Sequence, residues 1–456
     1  MYKGLANHPE TYYAATSSVP PATLPLAGAV EADVCVIGGG LAGLSSALHL
    51  AERGYRVALI EEHRLGWGAS GRNGGQALPG VACGQTKLES LLGRSGGRGD
   101  AHAGDARAAW DITVQGLALI RDRIARHAID CDWQPGHLQV ADKPRQVAEL
   151  EHEQAQLHAL GYPATQLLDA HQLTTVLATD RYLAGLYDAH AGHLHPLRYT
   201  LGLARAALQA GVITYEGTRA TGYSVTASGV RVRTLVSQAA DSGAGAGAGA
   251  GAGTSGEVRC QHLLLAGNTQ LGAVAPALAR KIIPVGTYIV ATERLSEARA
   301  RSLITNNAAV ADLNWIIDYY RRSADHRLLF GGRVSYSGLE NFEAVPVTRA
   351  RMLRVFPQLH DVRIDYHWGG LLDITLNRAP HFGRLEPNVW FLQGFSGHGL
   401  SLTGMAGCLA AEAIAGVSER FDVFARIPHR DFPGGTLLRR PALILAMLWY
   451  RLRDRL

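Results

Sequence analysis

The chain is short of several things at once. Its five cysteines (Cys35, Cys83, Cys131, Cys260 and Cys408) stand apart, with no paired or metal-type spacing. That argues against a disulfide framework and a metal site, and fits a reducing compartment. Charge of one sign is scarce: a net charge of +5 over 456 residues, without basic clusters in the core, gives no footprint for nucleic acid. Long hydrophobic runs are missing too. The best candidate, residues 441–450 followed by Arg451, Arg453 and Arg455, has about ten residues against the roughly 20 that span a bilayer. It reads as a helical tail docked on its own protein, with a surface-lying amphipathic helix as the alternative. Residues 1–30 lack a basic start followed by an apolar core and carry Pro20, Pro21 and Pro25, so they read as an N-terminal extension without a secretory signal. The expectation is a cytoplasmic protein with no membrane association. With 47% hydrophobic and 18% charged residues, the composition is that of a globular protein of two or three domain-sized units.

What is present begins at Val34-Cys35-Val36-Ile37-Gly38-Gly39-Gly40-Leu41-Ala42-Gly43, then a helix-like run, then Val57-Ala58-Leu59-Ile60-Glu61. A short apolar strand enters a glycine turn that opens a helix, and a second strand ends in an acid. This order grips a dinucleotide. Gly38 makes the tight turn, Gly40 admits the pyrophosphate to the backbone, and Gly43 lets helix and strand pack closely. The helix N-terminus offers free N–H groups to phosphate, and Glu61 is placed for ribose hydroxyls. Residues 251–256 fit the same glycine spacing but follow an alternating Gly/Ala tract and precede a strand-like run. That match is empty.

A glycine-rich loop follows at 66–76. Helical periodicity runs over 106–127, 145–160 and 199–209, with Gly161 as a stop. Strand-like runs at 229–236 and 258–265 flank the Gly/Ala tract 241–256, read as an insertion at a hairpin tip. Between Lys281 and Trp368 the pattern favours strands, at 282–285, 288–290, 315–317 and 328–330. Strand 389–392 then leads through the turn Gly394-Phe395-Ser396-Gly397-His398-Gly399 into a small-residue helix near 402–415, a second anion-friendly helix start.

On these segments the chain resembles the D-amino-acid-oxidase-type FAD oxidoreductases, and within them the gamma-glutamylputrescine oxidoreductase branch. The match is carried by residues 38–61, the loop Ala69-Ser70-Gly71-Arg72-Asn73-Gly74-Gly75-Gln76, the strand Leu263-Leu264-Leu265-Ala266-Gly267-Asn268, and residues 394–399. Gly192-His193-Leu194-His195-Pro196 and Phe432-Pro433-Gly434-Gly435 carry the likeness to the branch.

The resemblance implies an α/β fold. A Rossmann-type FAD-binding domain (31–95, 188–283 and 378–430) interleaves with an α+β substrate domain built on an antiparallel sheet (96–187 and 284–377), and 431–456 form a helical tail. It further implies that Gly38, Gly39, Gly40, Leu41, Ala42 and Gly43 hold the pyrophosphate and Glu61 the ribose. Ser70, Arg72, Asn73, Gly74 and Gln76 would run along the pyrophosphate toward the isoalloxazine. Ala220 would meet the adenine, and Ala266 and Gly267 the ADP portion. Gly397, His398, Gly399 and Leu400 would surround the flavin pyrimidine edge. FAD is expected to be noncovalent: no cysteine lies between Trp368 and Pro380, and Trp67 stands where a tethering histidine would, although His63 is near.

The implied activity is oxidation of an amine C–N bond, with a small-molecule amine as substrate and O2 or another electron acceptor as partner. His398, Trp368 and Arg72 are the candidate catalytic residues, as proton relay or flavin contact, pocket wall and cofactor anchor. Structural roles stand beside each: a packing turn histidine, a core tryptophan, a surface arginine. Asp373 and Arg378 read as a structural ion pair before a site pair, and Tyr319, Tyr320 and Arg333 as strand residues before carboxylate ligands. His195 reads as a turn brace. A D-amino acid or N-methylglycine dehydrogenase using a non-oxygen acceptor is the alternative within the class. A non-catalytic or tRNA-modifying flavin or nucleotide binder is the alternative outside it.

Overall fold

The computed structural model describes residues 7–95, 104–237, 255–335 and 344–434. The expected tail 431–456 therefore lies outside them beyond Gly434, as does most of the Gly/Ala tract. Three sheets organise the described residues. The first has the strand order His381–Glu386, Val389–Gln393, His262–Leu265, Val34–Ile37, Val57–Ile60, Ile213–Tyr215. Its pairings are parallel except the first.

The strand Val34–Ile37 is buried on both faces, as a central parallel strand must be. Alternation divides its side chains. Val34 and Val36 face a core shared with the helices Leu41–Ala51, Asp105–Arg126, Pro196–Gln209 and Leu400–Ile414. Cys35 and Ile37 face a second core under a four-stranded sheet of Gly28–Glu31, Ser255–Cys260, Gly229–Val236 and Thr218–Thr226. In that sheet Leu235 pairs with Ser255 in an antiparallel register, so the Gly/Ala tract does join the two strands of a hairpin.

The third sheet runs Ile364–Thr375, Ile282–Thr292, Leu328–Ser335, Tyr319–Arg322, Ala309–Asp312, Gln134–Ala141, Ala184–His193, Gln76–Ala77, with Thr165–Asp169 beside Ala184–His193. It is antiparallel save one pairing: Ala309–Asp312 runs parallel to Gln134–Ala141. The two runs expected at 282–285 and 288–290 form one strand. Pro284 is tolerated there because it pairs only with Asp373, the register on the other side beginning at Gly286. The strand expected at 315–317 is absent. Asp312 accepts the amides of Asn314 and Asp318 with one carboxylate oxygen, both at 3.1 Å, which bends the chain and leaves Trp315 37% and Ile317 39% exposed. The helix expected from 199 starts at Pro196, where His195 caps it.

The N-terminal segment is part of the fold. Tyr12 and Tyr13, in a four-residue helix capped by Thr11, are buried against Leu197, Ile289, Leu329 and Trp368. Its backbone is fixed through Glu216, which accepts the Thr23 amide at 2.7 Å and Arg64 Nε at 2.9 Å.

Candidate functional site

The glycine turn follows the strand Val34–Ile37 directly. Gly38 has φ +112°, and a Cβ there would lie 2.7 Å from the Ala266 carbonyl oxygen. The turn thus presses against the end of the neighbouring strand, whose Ala266 amide donates to Ile37 at 2.8 Å. Gly43 faces back onto the turn, where any Cβ would collide with the Gly38 carbonyl. Glu61, at the end of the next strand, accepts the Gly39 amide at 2.7 Å and the His63 amide at 2.9 Å. Burial outweighs these donors and pushes its carboxyl up to about 7.

Ser70 closes the turn from the other side. Its Oγ accepts the Leu41 amide at 2.9 Å and lies where a Cβ on Gly40 would point. The amides of Ala42 and Gly43 have no acceptor among the described residues, the first intrahelical bond being Leu44 N–H to Gly40. The helix Leu400–Ile414 repeats the arrangement. Its first bond is Thr403 N–H to Gly399, leaving the amides of Leu400, Ser401 and Leu402 open among the described residues. Two helix starts therefore present unspent donors and positive dipole ends, and such sites accept phosphate or a polarised carbonyl.

The 66–76 loop is internally braced. Asn73 Nδ2 donates to the carbonyls of Ala69 and Ser70, and its Oδ1 accepts the Gly75 amide at 2.8 Å. Arg72 lies over the Trp67 ring at 4.4 Å, and His63 stacks on that ring at 3.9 Å. Arg72 Nη1 reaches the Gly369 carbonyl at 3.3 Å, and Trp368 Nε1 donates to the Arg72 carbonyl at 3.0 Å. Gln76 Nε2 bonds the Val310 carbonyl at 3.1 Å, and the Gly74 carbonyl accepts Arg321 Nε at 2.8 Å. The loop is thereby stapled to the third sheet.

The turn before the second helix is held by Asp373. Its carboxylate accepts the amides of Gly394 and Phe395, and burial pushes the carboxyl up to about 6 against those donors. Asp373 thus braces the turn through backbone amides. His398, next to Gly397 at φ +85°, contacts the Pro79 carbonyl through Nε2 at 2.8 Å. A carbonyl can only accept, so Nε2 carries the proton and Nδ1 is the basic nitrogen. Burial lowers the imidazole below its ordinary range, ahead of the opposing effect of the Pro79 bond.

The structure brings Gly38 to Gly43, Glu61, Ser70, Ala266 and Gly267 to one end of the parallel sheet. Arg72, Asn73, Gly74, Gln76 and Trp368 meet at the braced loop, while Gly397 to Leu400 form the second helix start. Trp368 is 5% exposed and packs edge-on against Tyr13 at 5.0 Å. Ala220 lies in the strand Thr218–Thr226, paired with Thr234, and the neighbouring Thr218 amide donates to the Glu61 carbonyl at 2.8 Å. His195 is the expected brace, accepting the Arg198 amide through Nδ1 at 3.2 Å and meeting Thr16 Oγ1 through Nε2. Tyr320 bonds Tyr182 at 3.2 Å inside the sheet's own core, and the Arg333 side chain lies outside the described residues.

Glu216, Tyr13 and Arg321 went unread in the sequence. Glu216 had a signal, since it directly follows a parallel strand at the sheet edge where ligands collect. Arg321, 4% exposed and bonded to Gly74 and Tyr13, looked like one of many strand arginines.

Comparison with known proteins agrees with this geometry. The family described as "DAO: FAD dependent oxidoreductase" matches residues 33–413. The chain belongs to this family of FAD-dependent oxidoreductases. It is 41% identical over 453 residues to the "Gamma-glutamylputrescine oxidoreductase" of Escherichia coli K12, covering 99% of this chain and 100% of that one. A "Probable oxidoreductase OrdL" of Haemophilus influenzae is 38% identical over 94% of each chain. Among solved structures, glycine oxidase from Geobacillus kaustophilus superposes with a TM-score of 0.66 over 84% of this chain and 95% of that one, at 18% identity. L-proline dehydrogenase from P. horikoshii gives 0.64 over 86% and 94%, at 20%. These two likenesses show the fold.

Proposed function

We propose that the protein oxidises the primary amine of a γ-glutamylated diamine, γ-glutamylputrescine or a close relative. The observation that carries the reading is the end-to-end 41% identity with an oxidoreductase of that substrate. The two open helix starts support it. In this reading the amides of Ala42 and Gly43 would hold the pyrophosphate of a noncovalent FAD, Glu61 its ribose, and the amides of residues 400–402 its pyrimidine edge. Residues 31–95, 188–283 and 378–430 act as the flavin part, 96–187 and 284–377 as the substrate part.

When bound, FAD would supply the acceptor for a hydride from the carbon bearing the amine, with O2 as the final acceptor of the electron pair as H2O2. What the chain supplies is position and proton control. The braced loop holds Arg72 and Gly74 rigidly between the cofactor turn and the third sheet. The helix Leu400–Ile414 sets its positive end against negative charge gained on reduction. His398, neutral in its resting state with Nδ1 unprotonated, has a free site for a proton and, until it takes one up, places no cation beside a protonated amine. The imine then loses nitrogen to water, giving ammonia and a γ-glutamylamino aldehyde.

Product analysis tests the reading. Aerobic turnover of γ-glutamylputrescine should give aldehyde, ammonia and peroxide in equal amounts. Peroxide without ammonia, or turnover confined to D-amino acids or sarcosine, would contradict it.

A further inference from the structure

Arg123 is a buried cation whose partners are neutral. It lies in the last turn of the helix Asp105–Arg126 and is 2% exposed. Its Nη2 donates to Ser45 Oγ and to His49 Nε2, the latter at 2.8 Å, and Ser45 Oγ in turn donates to the Gly404 carbonyl. Nε and Nη1 have no hydrogen-bond partner among the described residues. A Cβ at Gly404 would lie 2.7 Å from Nη1, so a glycine is what leaves space for the guanidinium. Burial and then the Arg123 charge push His49 down to about 3, which keeps it a neutral acceptor. The other face of that imidazole, Nδ1, is 3.3 Å from Glu52, which also pairs with Arg126 at 3.0 Å. The acid is thus linked to Arg123 only through a neutral ring. The Tyr199 phenol lies beside the guanidinium as well.

Folding around an unpaired charge is unfavourable unless something offsets it. The two helices that Arg123 bridges are the two that open directly from the glycine turns, each with its first amides unspent. Ser45 and Gly404 each lie four residues beyond Leu41 and Leu400, about 6 Å along the helix axis. We propose that Arg123 is a positioning residue for the flavin, its buried charge reinforcing both open helix starts so that bound FAD serves as its counter-ion. The pyrophosphate is anionic throughout, and the ring gains negative charge when reduced, so the effect acts on affinity and on reduction potential alike. The inference rests on the flavin placement proposed above.

Three variants test it. Arg123→Met removes the charge, Arg123→Lys keeps it, and His49→Glu neutralises it in place without emptying the space. The readouts are FAD dissociation from the reconstituted apoprotein, the flavin midpoint potential and the apoprotein melting temperature. A unit charge acting over about 10 Å at an effective dielectric near 20 implies roughly tenfold weaker FAD binding for Arg123→Met and His49→Glu. Both should shift the midpoint to more negative potential, with apoprotein melting unchanged or raised, while Arg123→Lys stays within about twofold of wild type. Unshifted affinity and potential in the two neutralising variants would overturn the proposal. So would equal losses in Met and Lys that follow a lowered melting temperature, the mark of a purely structural role. If the flavin proves covalent, the potential alone decides. Wild-type protein that takes up no flavin would fail the placement itself, whereas normal uptake with unshifted variants fails only the role of Arg123.

Discussion

Gly43 is the residue at which the cofactor turn has least tolerance. Any side chain there strikes the Gly38 carbonyl, and backbone cannot yield as a flexible side chain can. Gly43→Ala is expected to cost about 2 kcal/mol of stability and to purify with little flavin. Flavin content per protein, read from the absorption spectrum, checks this; a fully yellow Gly43→Ala would contradict it. Asp373 makes a different prediction. Its folded carboxyl titrates near 6 and its ordinary value is 3.8. From about pH 4 to 6 the folded protein therefore holds a proton that the unfolded chain has released, and stability falls as pH rises through this window. Asp373→Asn retains an oxygen for the amides of Gly394 and Phe395 and has no charge to bury. Its melting temperature should gain on wild type as pH is raised from 4 to 6, and a gap that stays constant would count against the account. For His398, held below its ordinary range by burial, the amine-dependent rate should show no inflection between pH 6.5 and 8 that His398→Asn abolishes.

At the scale of elements, the N-terminal helix Tyr12–Ala15 and the 66–76 loop depend on one another. Tyr13 is fully buried, bonds Arg321 and packs on Trp368, and both of those residues bond the loop carbonyls at Gly74 and Arg72. Tyr13→Ala should destabilise the protein by about 3 kcal/mol, measured by urea unfolding, and weaken flavin retention although Tyr13 lies well before the glycine turn in sequence. Destabilisation with unchanged flavin retention would uncouple the two. This coupling was illegible in the sequence, because a four-residue helix has no periodicity to read. The strand–turn–helix units were legible because each residue type there answers a local demand: apolar alternation, a positive φ, a missing Cβ. The bend at 313–318 was not, since three apolar residues outweighed the turn chemistry of Asp312 and Asn314 beside them. Arg123 escaped for a similar reason: an arginine near the end of an amphipathic helix reads as surface until its neighbours are known.

Over the described residues, a mostly parallel sheet carries the glycine turn and a second helix start, and a largely antiparallel sheet meets them through the 66–76 loop. The family was readable from four short segments, because dinucleotide binding constrains backbone and glycine more than side chains. The substrate was not readable from local chemistry. Among the described residues no arginine declares itself as a carboxylate clamp: of the buried ones, Arg64 pairs with Glu216, while Arg123, Arg321 and Arg322 bond the protein's own backbone and neutral side chains. The assignment to a γ-glutamylated amine therefore rests on likeness along the full chain, and substrate-driven flavin reduction tests it most directly. The purified protein, mixed without oxygen with γ-glutamylputrescine, putrescine, sarcosine or D-amino acids in separate runs, should lose its long-wavelength flavin absorption fastest with the γ-glutamyl adduct. Air should restore the band and release peroxide. A flavin left oxidised by the adduct but bleached by an α-amino acid would contradict the account.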